Sequence, residues 1–153
     1  MLEIRNANPE DLEILKRMYL TEVENHPERA ESFADILINQ YKTLLAIKDN
    51  ALCGTVSWDS RGGLDDGVVE LSSIGVNEDC QRQGIATELV KSMIQEATRY
   101  FSHRGYNLRV VLLFMERQNV GAEKFYSSIG FKESATIEDL YPHDDGSIWT
   151  LHL

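Results

Sequence analysis

The chain has 153 residues, of which 42% are apolar and 26% charged, and this composition is typical of an ordinary globular domain with one core. Its 15 basic and 25 acidic residues give a net charge of −10. This charge argues against a nucleic acid partner, because proteins that bind nucleic acids usually carry a basic face. No apolar run is long enough to cross a bilayer, and the first residues do not resemble a secretion signal. We expect one domain over residues 1–153, no membrane partner, a cytoplasmic location, and a monomer or homodimer.

The first half of the chain predicts a strand, two helices and a hairpin. Asn8 followed by Pro9 is typical of a helix start, with a capping side chain and a proline at the first helical position. Asp49 and Asn50 form a turn pair that favours an antiparallel hairpin. The predicted elements are a strand over residues 2–6, helices from residue 8 and over 28–41, and strands over 43–48 and 52–58.

The second half predicts an alternation of strands and helices after a flexible loop at residues 60–67, which contains three of the ten glycines. The predicted elements are strands over 68–76, 107–115, 131–137 and 147–153, and helices over 84–103 and 119–129. This order predicts a single-domain α/β fold, with a mixed central sheet of about seven strands flanked by helices.

The loop between the fourth strand and the following helix is the most informative segment. Apolar residues recur every four positions after it, so the loop ends at a helix N-terminus: Ile85, Leu89, Met93 and Ala97. The first N–H groups of a helix lack intrahelical partners and its dipole is positive there, so an anion is favoured. Gly84 would let that anion approach the backbone, although a glycine in such a turn is more often a matter of geometry alone.

A second motif follows about thirty residues downstream, after another apolar strand. It consists of Asn119, Ala122, Phe125-Tyr126 and Gly130-Phe131. The two segments together resemble the signature motifs of the GCN5-related N-acetyltransferase (GNAT) superfamily, in which Gln/Arg-x-x-Gly-x-Gly/Ala binds the pyrophosphate of acetyl-coenzyme A. Here that motif reads Gln81-Arg82-Gln83-Gly84-Ile85-Ala86, with alanine in place of the second glycine. The resemblance extends over residues 2–153, since the order of strands and helices also fits.

The resemblance implies acetyl-coenzyme A (acetyl-CoA) as cosubstrate and no metal. In this family strands four and five splay apart, and the pantetheine arm pairs with strand four, which here corresponds to Ile74, Gly75 and Val76. The implied pyrophosphate-binding residues are Gln81, Arg82, Gln83, Gly84, Ile85, Ala86 and Thr87.

Two residues of the second motif also receive roles from the resemblance. Tyr126 occupies the position whose phenol protonates the departing thiolate of coenzyme A, and the alternative is a core aromatic residue beside Phe125. Asn119 would hydrogen-bond the pantetheine arm or cap the helix.

Glu70 is the candidate base, because an amine must lose a proton before it attacks. It precedes Gln81 by eleven residues, as the glutamate base does in histone-type members of the family. Apolar neighbours on the strand would remove water from its carboxylate. The alternatives are a carboxylate that faces solvent, or a water held by Ser72 and Ser73.

The acceptor is predicted only by charge. Residues 133–145 contain five carboxylates and no basic residue, which favours a cationic amine, unless this run is only a solvated surface. Residues 139–146 loosely resemble a loop of protein N-terminal acetyltransferases, but they lack its Asp-Ala-x-x-Met continuation. A peptide α-amine, a lysine, a polyamine and a sugar amine all stay open, and so does an inactive module that only binds acyl-CoA.

Cys53 and Cys80 occur without a Cys-x-x-Cys or Cys/His cluster, so neither a disulfide framework nor a zinc site is indicated. The histidines likewise lack ligand spacing and are expected at the surface or at helix ends: His26, His103, His143 and His152.

Overall fold

The computed structural model describes residues 1–153 as an α/β fold with a seven-stranded mixed sheet in the order β1-β2-β3-β4-β5-β7-β6. The strands are β1 (Leu2–Asn6), β2 (Lys42–Lys48), β3 (Ala51–Arg61), β4 (Val68–Val76), β5 (Val110–Glu116), β6 (Lys132–Tyr141) and β7 (Asp144–His152). The α-helices are α1 (Leu12–Glu22), α2 (Pro27–Asp35), α3 (Ile85–Ser102) and α4 (Val120–Ser128). The predicted fold class is confirmed. None of these helices combines the length and the apolar sequence that spanning a bilayer requires.

Three segments differ most from the prediction. The predicted helix over residues 28–41 is α2 followed by a separate π-helical turn, Ile36–Gln40. β3 continues to Arg61, and the following residues form a short 3-10 helix, Leu64–Asp66, in place of a long flexible loop. The Asp66 carboxylate accepts the Gly63 N–H at 2.8 Å and so closes this turn. β6 extends to Tyr141, beyond the predicted end at residue 137, and its pairing with β7 contains two register shifts, between Glu133 and Ala135 and between Ile137 and Tyr141.

The chain forms two compact units: Met1–Asp59 with Ser73–Glu96, and Ser60–Ser72 with Ala97–Leu153. In the first unit, β1 and β3 both pair antiparallel with β2. Asp49 and Asn50 both have positive φ, 53° and 64°, as the tight two-residue hairpin turn between β2 and β3 requires. A buried apolar cluster fills the core of this unit: Leu15, Ala34, Leu37 and Leu45.

A buried carboxylate organises the start of the first helical segment. Asp11 is 5% exposed, and its carboxylate accepts two hydrogen bonds from Arg5, at 2.9 and 2.8 Å, and one from the Asn8 N–H at 2.8 Å. The Asn8 side chain in turn accepts the Glu10 N–H at 2.9 Å, which completes a capping box. The hydrogen bond from Arg5 is the main cause that lowers the pKa of Asp11.

In the second unit, β5 pairs antiparallel with β7, and β7 with β6. Along β5 every second residue is buried, namely Val111, Leu113 and Met115. The parallel ladder between β4 and β5 joins residues 68–70 to residues 110–112, near the start of both strands. This short ladder fits the predicted splay of strands four and five.

The buried Asp11 carboxylate generates a pH prediction. Because its pKa is lower in the folded than in the unfolded chain, its contribution is present above the ordinary aspartate pKa and is lost as the pH falls through the folded value. Asp11→Asn should therefore cost about 1–3 kcal/mol of unfolding free energy at pH 7, and the difference from wild type should shrink in acid.

Urea unfolding at pH 7 and pH 3 measures this difference. The exposed Asp65 makes no side-chain hydrogen bond, so Asp65→Asn is the matched control and should change little at either pH. A difference between Asp11→Asn and wild type that stays constant with pH would contradict the assignment.

Candidate active site

The predicted site residues are divided between the two units. The first contains the end of β4 and the loop that leads to α3, with all the residues predicted to bind pantetheine or pyrophosphate except Asn119 and Tyr126. The second contains Glu70 on β4, and Asn119 and Tyr126 at the start and near the end of α4.

The end of β4 directs alternate backbone groups to opposite sides. The Asn77 N–H donates to the Cys53 carbonyl at 2.7 Å, and the Gly75 carbonyl oxygen lies 2.7 Å from where a Cβ on Gly54 would be. Residues 75 and 77 therefore direct these groups toward β3. Since backbone polar groups alternate along a strand, those of Ile74 and Val76 point away from β3, as pairing with a pantetheine arm requires.

The loop at residues 77–84 uses its early N–H groups internally. The N–H of Cys80 donates to the Asn77 carbonyl at 2.8 Å, and that of Gln81 to the Glu78 carbonyl at 3.3 Å. The Glu78 N–H donates to the Glu22 carboxylate at 2.6 Å. The N–H groups of Glu78, Cys80 and Gln81 are therefore occupied and not available to a ligand.

The later N–H groups of the loop have no intramolecular acceptor. The first bond of α3 runs from the Glu88 N–H to the Gly84 carbonyl at 3.1 Å, and the N–H groups of residues 82–87 make none. Gly84 has φ +76°, and a Cβ placed on it would meet nothing within 4 Å. The loop thus offers several unpaired donors beside an open space at the positive end of an 18-residue helix, which fits a phosphate group.

Two side chains fix this loop without any sequence motif that indicates them. Glu22, at the end of α1, accepts the Glu78 N–H, and Lys48, at the end of β2, donates to the Gln83 side chain at 2.6 Å. Neither residue was predicted. Their contacts join positions far apart in sequence, for which periodicity and spacing give no signal.

The two cysteines, which no sequence motif joins, are neighbours in the structure. Burial, together with the nearby Cys53 thiol, raises the pKa of Cys80 to about 11. Both thiols are free. Because the thiolate is the reactive form, this environment makes Cys80 a poor nucleophile and is consistent with a packing role.

Tyr126 lies on α4 and is 6% exposed. Its ring makes edge contacts with Phe125 and Phe131, with centroids 5.0 and 5.4 Å apart. Burial raises the pKa of Tyr126 to about 12, so the phenol stays protonated at neutral pH. The residue is therefore a core aromatic whose phenol keeps its O–H at neutral pH, and its predicted role in chemistry stays a prediction.

Asn119 caps α4. Its side-chain oxygen accepts the Ala122 N–H at 3.1 Å, which is the second of the two roles expected for it. Asn119 is exposed, so its amide N–H₂ can still donate to a ligand.

Glu70 is held in an ion pair. Its carboxylate accepts hydrogen bonds from the Arg61 guanidinium, one of them from Nε at 2.7 Å and the other from Nη2. The same guanidinium lies over the Phe114 ring, 5.4 Å from its centroid. The expected apolar surroundings are therefore only part of its environment, because an arginine neutralises the carboxylate directly.

The acidic run contains carboxylates that support the backbone. Asp144 accepts the N–H groups of Gln118 and Asp145, each at 2.8 Å, and Asp145 accepts the Asp139 N–H at 3.0 Å. Nearby, the His143 ring lies 3.0 Å from the Glu116 carboxylate. No group of three or more histidine, cysteine, aspartate or glutamate side chains is arranged to hold a metal ion.

Comparison with known proteins establishes the family. Residues 9–131 match the model of the acetyltransferase (GNAT) family. The chain therefore belongs to the GNAT acetyltransferases, as its two motifs predicted. No curated protein matches the sequence.

Solved structures show the same fold at low sequence identity. The ribosomal-protein-S18-alanine N-acetyltransferase from Escherichia coli is 22% identical, with a TM-score of 0.78 over 99% of this chain and 94% of that one. A GNAT-family acetyltransferase from Bacillus cereus ATCC 10987 is 19% identical, with a TM-score of 0.77 over 99% and 97%. Ard1 from Thermoplasma volcanium is 16% identical, with a TM-score of 0.75 over 99% and 97%.

The buried phenol generates a second pH prediction. Its pKa is about 12 in the folded chain and about 10 when unfolded, so its stabilising contribution is complete below pH 10 and is lost as the pH rises through 12. Tyr126→Phe should therefore reduce the alkaline loss of unfolding free energy by about 2–3 kcal/mol. In an absorbance titration of the folded protein, the variant should lack one tyrosine that deprotonates near pH 12.

Tyr106 is 41% exposed, so Tyr106→Phe is the control and should leave the alkaline loss of unfolding free energy unchanged. If Tyr126→Phe also leaves that loss unchanged, the phenol is not buried as described.

Proposed function

We propose that this protein is an N-acetyltransferase in which a primary amine attacks acetyl-CoA directly, in a ternary complex and without a covalent enzyme intermediate. The observation that carries the proposal is the start of α3, where unpaired N–H groups and the open space at Gly84 suit a pyrophosphate. The backbone groups of Ile74 and Val76 that point away from β3 support the binding of a pantetheine arm, which at the Val76 carbonyl would replace the hydrogen bond from the Gln81 side chain at 3.2 Å. Acetyl-CoA would supply the acetyl group as an activated thioester.

Tyr126 would act on the sulfur of the leaving group. A thiol has a pKa near 8.5, so complete proton transfer from a phenol with a pKa of about 12 is unfavourable. The phenol would instead donate a hydrogen bond that stabilises the thiolate as it forms, and the thiolate would take its final proton from water.

Glu70 would accept the proton of the amine. Its carboxylate lies where β4 and β5 still pair, opposite Leu112, and must exchange Arg61 for the substrate ammonium before it can act as a base. A water molecule held by Ser72 and Ser73 is the alternative base. The ion pair between Glu70 and Arg61 favours this alternative, because it occupies the Glu70 carboxylate.

The acceptor is proposed to be cationic, such as a basic peptide, a lysine side chain or a polyamine. The proposal rests on the acidic run of β6 and the following turn, and on Glu116 at the end of β5. The E. coli neighbour acts on an alanine of a ribosomal protein, which keeps peptide amines among the acceptors to test.

A catalytically inactive acyl-CoA-binding module is the second candidate. The observation that favours it is the pairing of Glu70 with Arg61, which leaves no unpaired carboxylate at the position expected for the base. Such a module would bind the cofactor and release no thiol with any amine.

The proposed pyrophosphate site predicts the effect of a charge at the loop. Gly84→Asp places a carboxylate where the phosphates would bind, so it should weaken acetyl-CoA affinity by well over tenfold, as measured by calorimetry on the folded variant.

Gly105→Asp is a matched control, because Gly105 also has positive φ, +83°, and a Cβ there also meets nothing within 4 Å. Both variants should lose about 1–2 kcal/mol of stability from the backbone conformation, but only Gly84→Asp should lose the cofactor. Equal affinities in the two variants would exclude the loop as the phosphate site.

The acidic run predicts the order of acceptors. With acetyl-CoA and detection of the released thiol, basic peptides and polyamines should show higher kcat/KM than acidic amines. Their advantage should fall as salt shortens the Debye length from about 10 Å at 0.1 M to about 3 Å at 1 M.

Asp144→Asn with Asp145→Asn should reproduce much of the salt effect, since asparagine keeps an acceptor oxygen for the backbone bonds and removes the charge. Glu3→Gln with Glu31→Gln removes the same charge from β1 and α2 and should change little. If the best acceptor is acidic or neutral, the acidic run is only a solvated surface. If none of the amines leads to release of the thiol, the result favours the inactive module.

A further inference from the structure

The loop proposed to bind pyrophosphate has an unfavourable charge of its own. Residues 77–87 contain one basic residue, Arg82, and two acidic ones, Glu78 and Asp79, so their net charge is −1. Glu22 adds a third carboxylate, bound to the Glu78 N–H. A pyrophosphate on this loop would therefore meet repulsion unless a cation from outside the loop compensates.

Lys48 is placed to be that cation. It is the last residue of β2, and its ammonium donates to the Gln83 side chain at 2.6 Å, one residue before Gly84. This contact is with a neutral amide, so the charge of Lys48 is not cancelled by a carboxylate. An ammonium has three N–H donors, and the bond to Gln83 uses one, which leaves two for phosphate oxygens.

The cations adjoin the later part of the loop. The carboxylates of Glu78 and Asp79 belong to the 3-10 helix at its beginning, whereas Arg82 directly precedes Gln83, whose side chain contacts the Lys48 ammonium. Arg82 has φ +64° and is exposed, so its side chain has no packing that fixes it. Lys48 is half-buried and hydrogen-bonded, and is therefore the better positioned of the two cations.

We propose that Lys48 is a further cofactor-binding residue, whose ammonium contacts the pyrophosphate of acetyl-CoA together with the N–H groups of residues 82–87. The inference rests on the proposed function, and it adds a residue outside both signature motifs. It predicts that affinity for the cofactor depends on a positive charge at position 48 rather than on packing there.

Calorimetry with coenzyme A tests the proposal on the purified protein. Lys48→Met should raise the Kd on the order of tenfold and weaken the salt dependence of binding, because a charge-assisted contact is lost. Lys48→Arg keeps the charge and should restore most of the affinity. Lys16→Met removes an equal charge from α1, where Lys16 pairs with Glu13, and should change the Kd less than twofold.

Dephospho-coenzyme A, which lacks the 3′-phosphate, identifies the contacted group. If Lys48 binds the pyrophosphate, Lys48→Met should weaken both ligands by the same factor. A loss confined to coenzyme A would place the contact at the 3′-phosphate and overturn the proposal.

If the wild type binds coenzyme A and the Lys48→Met and Lys16→Met variants bind it with equal affinity, the role of Lys48 is overturned. The proposed function is not affected by that outcome. Absence of binding by wild type would overturn both. Thermal unfolding of each variant shows whether it is folded, and a Lys48→Arg variant that is folded but as weak as Lys48→Met would exclude charge as the cause.

Discussion

The N–H groups at the start of a helix have no partners within that helix, and this constraint explains the loop before α3. A buried or solvent-poor donor without an acceptor costs free energy, so such groups are normally capped by a side chain. Here the donors from residue 82 onward are left uncapped, whereas those at the beginning of the loop are satisfied by Glu22 and by the loop itself. An arrangement of this kind is pre-organised, because no bond within the protein must break before an anion binds.

The same constraint explains how an acidic chain can belong to a family that uses a polyanionic cosubstrate. A net charge of −10 would oppose coenzyme A at long range, but ions in solution screen that repulsion within about 10 Å at 0.1 M salt. Backbone dipoles and a few placed cations act at contact distance, where screening is weak. Net charge can therefore favour cationic acceptors without preventing the cofactor from binding.

Local signals predicted much of the fold. Asn8 with Pro9, Asp49 with Asn50, and the four-residue period after Gly84 each depend on neighbouring residues, and each lies where expected. The contacts between distant positions could not be predicted in this way. Arg61 reaches Glu70, Lys48 reaches Gln83 and Cys53 meets Cys80 only because the chain folds, and no pattern in the sequence distinguishes these side chains from solvated ones.

The family motifs predicted more of the site than the residue types alone could. They assigned a role to each residue but did not predict the surroundings of its side chain. A motif assigns Tyr126 a role, but it does not predict that the phenol is buried and that burial raises its pKa to about 12. A motif likewise offers Asn119 two roles, and the hydrogen bond to Ala122 shows that capping is one of them.

The close approach of Gly54 to the Gly75 carbonyl has a consequence for how this chain could change over evolution. A methyl group at position 54 would lie 2.7 Å from that oxygen and would displace the backbone of β4. The position of this end of β4 thus depends on a residue of the adjacent strand that belongs to neither motif. Sequence drift at position 54 would shift the backbone proposed to bind the cofactor while every residue of the two motifs stayed the same.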